Sequence, residues 1–268
     1  MDSSKEYWKK QTSAPKEDLR WNFPEQKQNE IAVIGGNSQN FSAPIKTAEF
    51  LSANFPLKSV KTILPDSLES KFPPAIINEN LTFTRSTPSG SFDKSAELTA
   101  AANRADFNIF IGDLSKNSTT AVAVAEALDA STPTPAIITR DTVDLLLAEM
   151  TNLIERENLF IIASLAQLQK LFRAIYYPKV LLLSQPLMPV IETLHKFTLS
   201  YENLALLTFH DGQIIVANRG LITTIPLENT SYSPISLWSG RLASKVAAYN
   251  LWNPKNPANA TVAAVFAK

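Results

Sequence analysis

Cysteine is absent from this chain of 268 residues, which excludes disulfides, thiolate nucleophiles and cysteine-ligated metal sites. Glycine is scarce, with seven residues where average usage would give about 19. Neither a GxGxxG fingerprint nor a Walker lysine loop is present, so two standard phosphate-binding signatures are missing. Net charge is missing too: 25 basic side chains balance 25 acidic ones, leaving no electrostatic ground for nucleic acid or an anionic membrane as partner. The two histidines, His195 and His210, have no neighbouring cluster that would make a metal or catalytic centre, and surface positions are expected for both. No apolar run approaches the roughly 18 residues of a membrane span. The opening MDSSKEYWKKQTSAPKEDLRW carries no apolar segment of signal-peptide type. A cytoplasmic location is the expectation.

Apolar residues are plentiful at 45% of the chain, enough to fill the core of one large α/β domain. Residues 1–30 are polar and hold the aromatics Tyr7, Trp8, Trp21 and Phe23. They read as an N-terminal arm lying on a domain of residues 31–268, with Trp8 and Trp21 as docking points. From Ile31 a regular alternation begins. Ile31–Ile34, Val60–Leu64, Phe107–Ile111, Pro135–Ile138, Leu159–Ile162 and Val180–Leu183 are short apolar runs suited to buried parallel strands. Leu81–Thr84 alternates as an edge strand would. Helices are expected over 42–54, 95–104, 119–130, from about 141, and over 165–174 and 187–199. Leu204–Thr208, Gln213–Val216 and Leu221–Ile225 complete the strands, with His210-Asp211-Gly212 as a hairpin turn. Two helices, near 236–252 and 258–267, end the chain. This order predicts an α/β fold with a central, mainly parallel sheet and helices on both faces.

In such sheets ligands bind beyond the carboxyl ends of the strands. Gly35, Gly36 and Asn37, then Asp113, Asp141 and Ser164, fall at those ends, and Ser239, Gly240 and Arg241 open the penultimate helix. Glycine lets backbone approach a ligand, and helix N-termini offer free N–H groups to phosphate. Asp113 and Asp141 are pocket groups or Mg²⁺ contacts on one reading and caps of the following helices on the other. Arg241 is a phosphate ligand or a solvated helix-start arginine. The aromatics Tyr176, Tyr177 and Trp238 read as core or interface, and Leu145–Leu147 as core.

The order of segments resembles the ribokinase-like family of ADP- or ATP-dependent NAD(P)H-hydrate dehydratases. Ile31-Ala-Val-Ile-Gly-Gly-Asn37 followed by Ser42-Ala-Pro44 is similar to that family's opening strand and GG(S/N)…GAP segment. VKTILPDS (60–67), ADFNIFIG (105–112), PAIITRDTVDLL (135–146) and FIIASLAQLQKL (160–171) follow in matching order. The resemblance spans about residues 31–250. It implies a ribokinase-like fold, an ADP or ATP cofactor with Mg²⁺, and a nucleotide or NAD(P)H-type ligand.

Departures from the family pattern fall on its chemistry. The IGPGLG turn is Ile111-Gly-Asp-Leu-Ser-Lys116, and the TPHPGE segment is Ile162-Ala-Ser-Leu-Ala-Gln167. Leu237-Trp-Ser-Gly-Arg241 stands at GGTGD, so Arg241 occupies the place of the catalytic aspartate. A guanidinium keeps its proton at neutral pH and cannot be the base. The resemblance with these losses points to a catalytically degenerate member that either retains nucleotide or dinucleotide binding or serves as a subunit packed against an active partner, with no catalytic residue assigned and no metal site. Two alternatives stand beside it. One is an active dehydratase or small-molecule kinase using Asp141 or Asp113 as base. The other is a non-enzymatic module that forms homo-oligomers.

Overall fold

Runs of branched apolar side chains with nothing polar on either face become strands at the centre of one sheet. The computed structural model describes residues 6–75 and 77–267; the first five residues of the expected arm, Ile76 and Lys268 lie outside the described residues. Among the described residues ten strands form: β1 Trp8–Lys10, β2 Gln28–Gly35, β3 Leu57–Pro65, β4 Leu81–Thr84, β5 Phe107–Gly112, β6 Ala136–Thr139, β7 Leu159–Ile162, β8 Leu204–His210, β9 Gln213–Asn218 and β10 Leu221–Pro226. Helices α1 Ser42–Asn54, α2 Ala96–Arg104, α3 Ser118–Ala130, α4 Asp141–Leu145, α5 Met150–Leu153, α6 Leu165–Ala174, α7 Leu187–Ser200, α8 Gly240–Trp252 and α9 Pro257–Phe266 connect and close them.

The spatial order is β1-β10-β9-β8-β7-β6-β5-β2-β3-β4. From β8 through β4 every pairing is parallel; β9 is antiparallel to both β8 and β10, and β1 lies parallel to β10. After β1 at the far edge, the chain enters the middle at β2, moves outward to β3 and β4, then returns to β5 on the other side of β2 and proceeds the opposite way. That reversal, between β2 and β5, is the place where an open α/β sheet leaves a crevice. One apolar layer packs α2, α3, α6 and α7 on one face, with Phe92, Phe110, Leu171 and Phe197 fully buried or nearly so. The other face holds α1, α8 and α9 over Val33, Ile109, Leu207 and Val216. Among the described residues no helix is long and apolar enough to cross a membrane.

Several expectations are corrected. Residues 180–183 are not a strand. Val180 and Leu183 are each 61% exposed and only Leu181 is buried. Leu182 N–H donates to Gln185 Oε1 (3.0 Å) and its carbonyl accepts from Gln185 N–H (3.1 Å), making a turn. An unbroken apolar run carries no periodicity to distinguish a strand from a loop. Trp21 does not dock: it is 88% exposed, and Phe23 fills that role against Tyr249 and Trp252, ring centroids 5.0 and 4.6 Å away. Trp8 does dock, its indole N–H donating to Thr224 Oγ1 at 3.1 Å. His195 is half-buried rather than superficial, stacked on Tyr7 at 3.7 Å with Nδ1 on the Gly220 carbonyl. His210 Nε2 likewise meets the Gln185 carbonyl (2.6 Å) and is half-buried. Tyr177 joins the core against Phe172 and Phe197, whereas Tyr176 is 89% exposed.

Candidate functional site

The crevice at the reversal is built from strand ends that turn sharply. Gly36 and Gly112 both have φ of 97°, Asp113 has φ 58° and Arg140 φ 55°. Gly35 and Gly112 are glycine for steric reasons: a Cβ on Gly35 would collide with the Gly112 carbonyl, and one on Gly112 with Asp141 Oδ1. The close approach lets Gly36 N–H donate to Gly112 O at 2.9 Å, tying the ends of β2 and β5 together. Arg140, with ψ −138°, sits in a region that side chains other than glycine avoid, at a cost of about 1–3 kcal/mol.

Four of the expected residues, Asn37, Asp113, Asp141 and Ser164, line one open cleft of about 670 Å³ with Arg140, Asp144, Gln167, Lys170 and Trp238. Asn37 Nδ2 donates to the Asp113 carbonyl (2.7 Å), and its Oδ1 accepts from the Gln39 and Asn40 N–H groups. Gly35 and Gly36 support the cleft from behind and are not on its lining. Ser239, Gly240 and Arg241 are not on it either. Gly240 is pressed on Thr47 of α1, where a Cβ would overlap Thr47 Oγ1. Arg241 is exposed, its guanidinium lying over the Phe50 ring 5.2 Å from the centroid. Its charge acts inward on the α8 side: burial lowers Lys245 and Arg241 lowers it further, while burial pushes the Tyr232 phenol up despite Arg241.

Neither aspartate caps the helix that follows it. Asn117 does that for α3, accepting from Thr120 N–H at 2.8 Å. Asp113, almost fully buried, reaches across the crevice: Oδ2 accepts from Ala43 N–H in the first turn of α1 (2.8 Å) and Oδ1 from Arg140 Nη2 (2.9 Å). Asp141 accepts the N–H groups of Asp113 (3.0 Å) and Leu114 (2.9 Å) on its two oxygens. Asp144 takes Lys170 Nζ on Oδ1 (2.6 Å) and Gln167 Nε2 on Oδ2 (2.8 Å). Burial alone would raise the Asp144 carboxyl, but these hydrogen bonds and the charges of Lys170 and Lys116 outweigh it and hold it below its ordinary value. Ser164 and Gln167 form a capping box on α6, and Gln167 also donates to the Arg140 carbonyl (2.7 Å).

Every carboxylate oxygen of the cleft therefore already has a donor. Arg140 and Lys170 remain partly exposed, with side chains 34% and 54% accessible. Among the described residues no group of three or more His, Asp or Glu is placed to hold a metal ion. Asp144, Gln167 and Lys170 are not among the expected site residues, and Trp238, expected in core or interface, lines the cleft. Only the Ser164-x-x-Gln167 spacing, a capping-box signature, was there to be seen.

Comparison with known proteins places this architecture. No family model and no curated protein sequence matches the chain. Solved structures do match it along nearly its full length. A ribokinase-like superfamily protein of Enterococcus faecalis superposes with a TM-score of 0.63 over 96% of this chain and 85% of its own, at 14% identity. The fold is ribokinase-like. An ADP/ATP-dependent NAD(P)H-hydrate dehydratase of Bacillus subtilis, co-crystallised with ATP and Mg²⁺ and soaked with CoA, gives 0.56 over 92% and 83%, at 13% identity. A Bacillus subtilis pyridoxal kinase in an ADP complex gives 0.50 over 89% of each chain, at 12% identity. What this chain shares with these structures is the fold.

Proposed function

We propose that this chain is a catalytically degenerate relative of the NAD(P)H-hydrate dehydratases that binds a nucleotide in the crevice without dehydrating the cofactor. It would comprise an arm, residues 1–30, and one ribokinase-like domain, residues 31–268. The observation that carries the reading is the state of the carboxylates. Asp113, Asp141 and Asp144 each have both oxygens engaged by N–H groups or cations, the pattern of carboxylates that tie strand ends and helix starts together rather than of one aimed at a substrate proton. Arg241, at the aspartate's place in the resemblance, lies on Phe50 away from the cleft lining.

Retained binding has separate support. The cleft's 670 Å³ suits a ligand of nucleotide size. Arg140 and Lys170, each paired with an aspartate of the cleft, keep side chains partly accessible to a polyphosphate, and Trp238 offers a ring to a base. The backbone strain at Arg140 is of the kind that collects at ligand sites. ADP or ATP would bring Mg²⁺ with its phosphates; the neighbour co-crystallised with ATP and Mg²⁺ and the one in an ADP complex support that choice. The reading is tested by incubating the protein with hydrated NADH, ADP or ATP, and Mg²⁺, and following recovery of NADH. No turnover above the uncatalysed rate is expected; turnover at an ordinary enzymatic rate would overturn it.

A further inference from the structure

Away from the crevice, the sheet ends on an unfilled edge. β4 is its last strand and pairs only with β3, from Thr62 opposite Leu81 to Pro65 opposite Thr84. Thr62 N–H donates to the Asn80 carbonyl at 2.7 Å, so Asn80, Thr82 and Thr84 direct their backbone groups at β3. By strand alternation Leu81 and Phe83 direct theirs outward. Leu81 N–H turns back to the Asn78 carbonyl (3.0 Å), and the Arg85 carbonyl is taken by Asp93 N–H (2.9 Å). Phe83 N–H and C=O, with the Leu81 carbonyl, are left facing an open groove of about 890 Å³. The strand sequence Leu-Thr-Phe-Thr carries no lysine or proline, the residues that ordinarily protect a free edge.

The groove in front of this edge is acidic. Asp66, Glu69, Glu79 and Glu97 line it with two cations, Arg85 and Lys94. Both cations are already bound to acids off the lining, Arg85 to Asp93 (3.1 Å) and Lys94 to Glu126 (2.6 Å). We propose that β4 takes up an extended, basic segment of another protein as an added strand, its backbone pairing on Phe83 and its lysines or arginines meeting the four acids. A second copy of this chain fits less well, because two acidic edges would face each other with like charge. Four residues offer few ladder hydrogen bonds, so charge must supply much of the affinity and added salt must weaken it.

The test uses the full chain and a fluorescent peptide of alternating lysine and valine, read by anisotropy. Binding is expected, with the Phe83 amide protected from hydrogen exchange. The same peptide methylated on alternate backbone nitrogens should bind about ten-fold more weakly, having lost ladder hydrogen bonds. The surface double variant Glu79→Lys/Glu97→Lys should weaken binding by a similar factor, with an unchanged melting temperature showing that it folds. A glutamate–valine peptide should not bind. Absence of binding, or binding indifferent to N-methylation or to the charge reversal, would overturn the proposal. So would Phe83 protection that grows with protein concentration and no peptide, since the occupant would then be a second copy.

Discussion

Asp141 places one carboxylate oxygen on each of two successive backbone N–H groups, those of Asp113 and Leu114. Replacing it with asparagine sets an NH₂ donor against an N–H donor, and Asp141→Asn should cost about 1–3 kcal/mol, read as a lower melting temperature. An active-enzyme reading with Asp141 as base predicts instead lost turnover with the melt unchanged. Gly112→Ala meets both a φ of 97° and the Asp141 carboxylate, and should lose about 2 kcal/mol or more in denaturant unfolding. Asp144 carries a pH signature. Its carboxyl titrates lower in the folded chain than its ordinary 3.8, so its stabilising contribution is present above that value and is lost as pH falls through the folded one. Acid unfolding of Asp144→Asn should therefore begin from a lower stability at neutral pH and show a shallower loss below about pH 4 than the parent chain. At this scale sequence reading located Asn37, Asp113, Asp141 and Ser164 because strand ends are legible. It missed their partners: the bond from Ala43 to Asp113 spans 70 positions, and no local pattern encodes it.

Most elements could be read from the chain because parallel strands covered on both faces must be apolar throughout, and Leu159–Ile162 and Leu81–Thr84 form where expected. Two elements show where that logic stops. Residues 180–183 are as apolar as any strand, yet they form a turn held by Gln185, because β7, the strand before them, is already paired with β6 and β8. Trp8-Lys-Lys10 looks polar, yet it forms β1, since an edge strand beside β10 needs only one apolar contact. Tyr7 and Trp8 anchor it through His195 and Thr224. Removal of residues 1–11 should bare the β10 edge, lower stability by about 2–3 kcal/mol, and promote association visible by light scattering. A truncated chain with the parent's melt and mass would show that β1 contributes nothing to the sheet.

Over the whole molecule, the reversal between β2 and β5 fixes where a ligand can sit, and the ribokinase-like fold shares that feature with its structural neighbours. What the neighbours' scaffold does not dictate is the chemistry along the rim. Here three carboxylates hold strand ends and helix starts together, and the two cations of the lining, Arg140 and Lys170, are paired with two of them while staying partly accessible. On the reading proposed above, such a crevice holds an anion and moves no proton. The decisive measurement is the melting temperature of the purified chain with Mg²⁺ and ADP or ATP. A ligand that binds only the folded state adds about 2.7 kcal/mol at about 100 times its dissociation constant. A clear rise is expected with ADP or ATP, abolished in Lys170→Glu. An unchanged melt at saturating concentrations of both nucleotides would contradict a nucleotide site in this cleft.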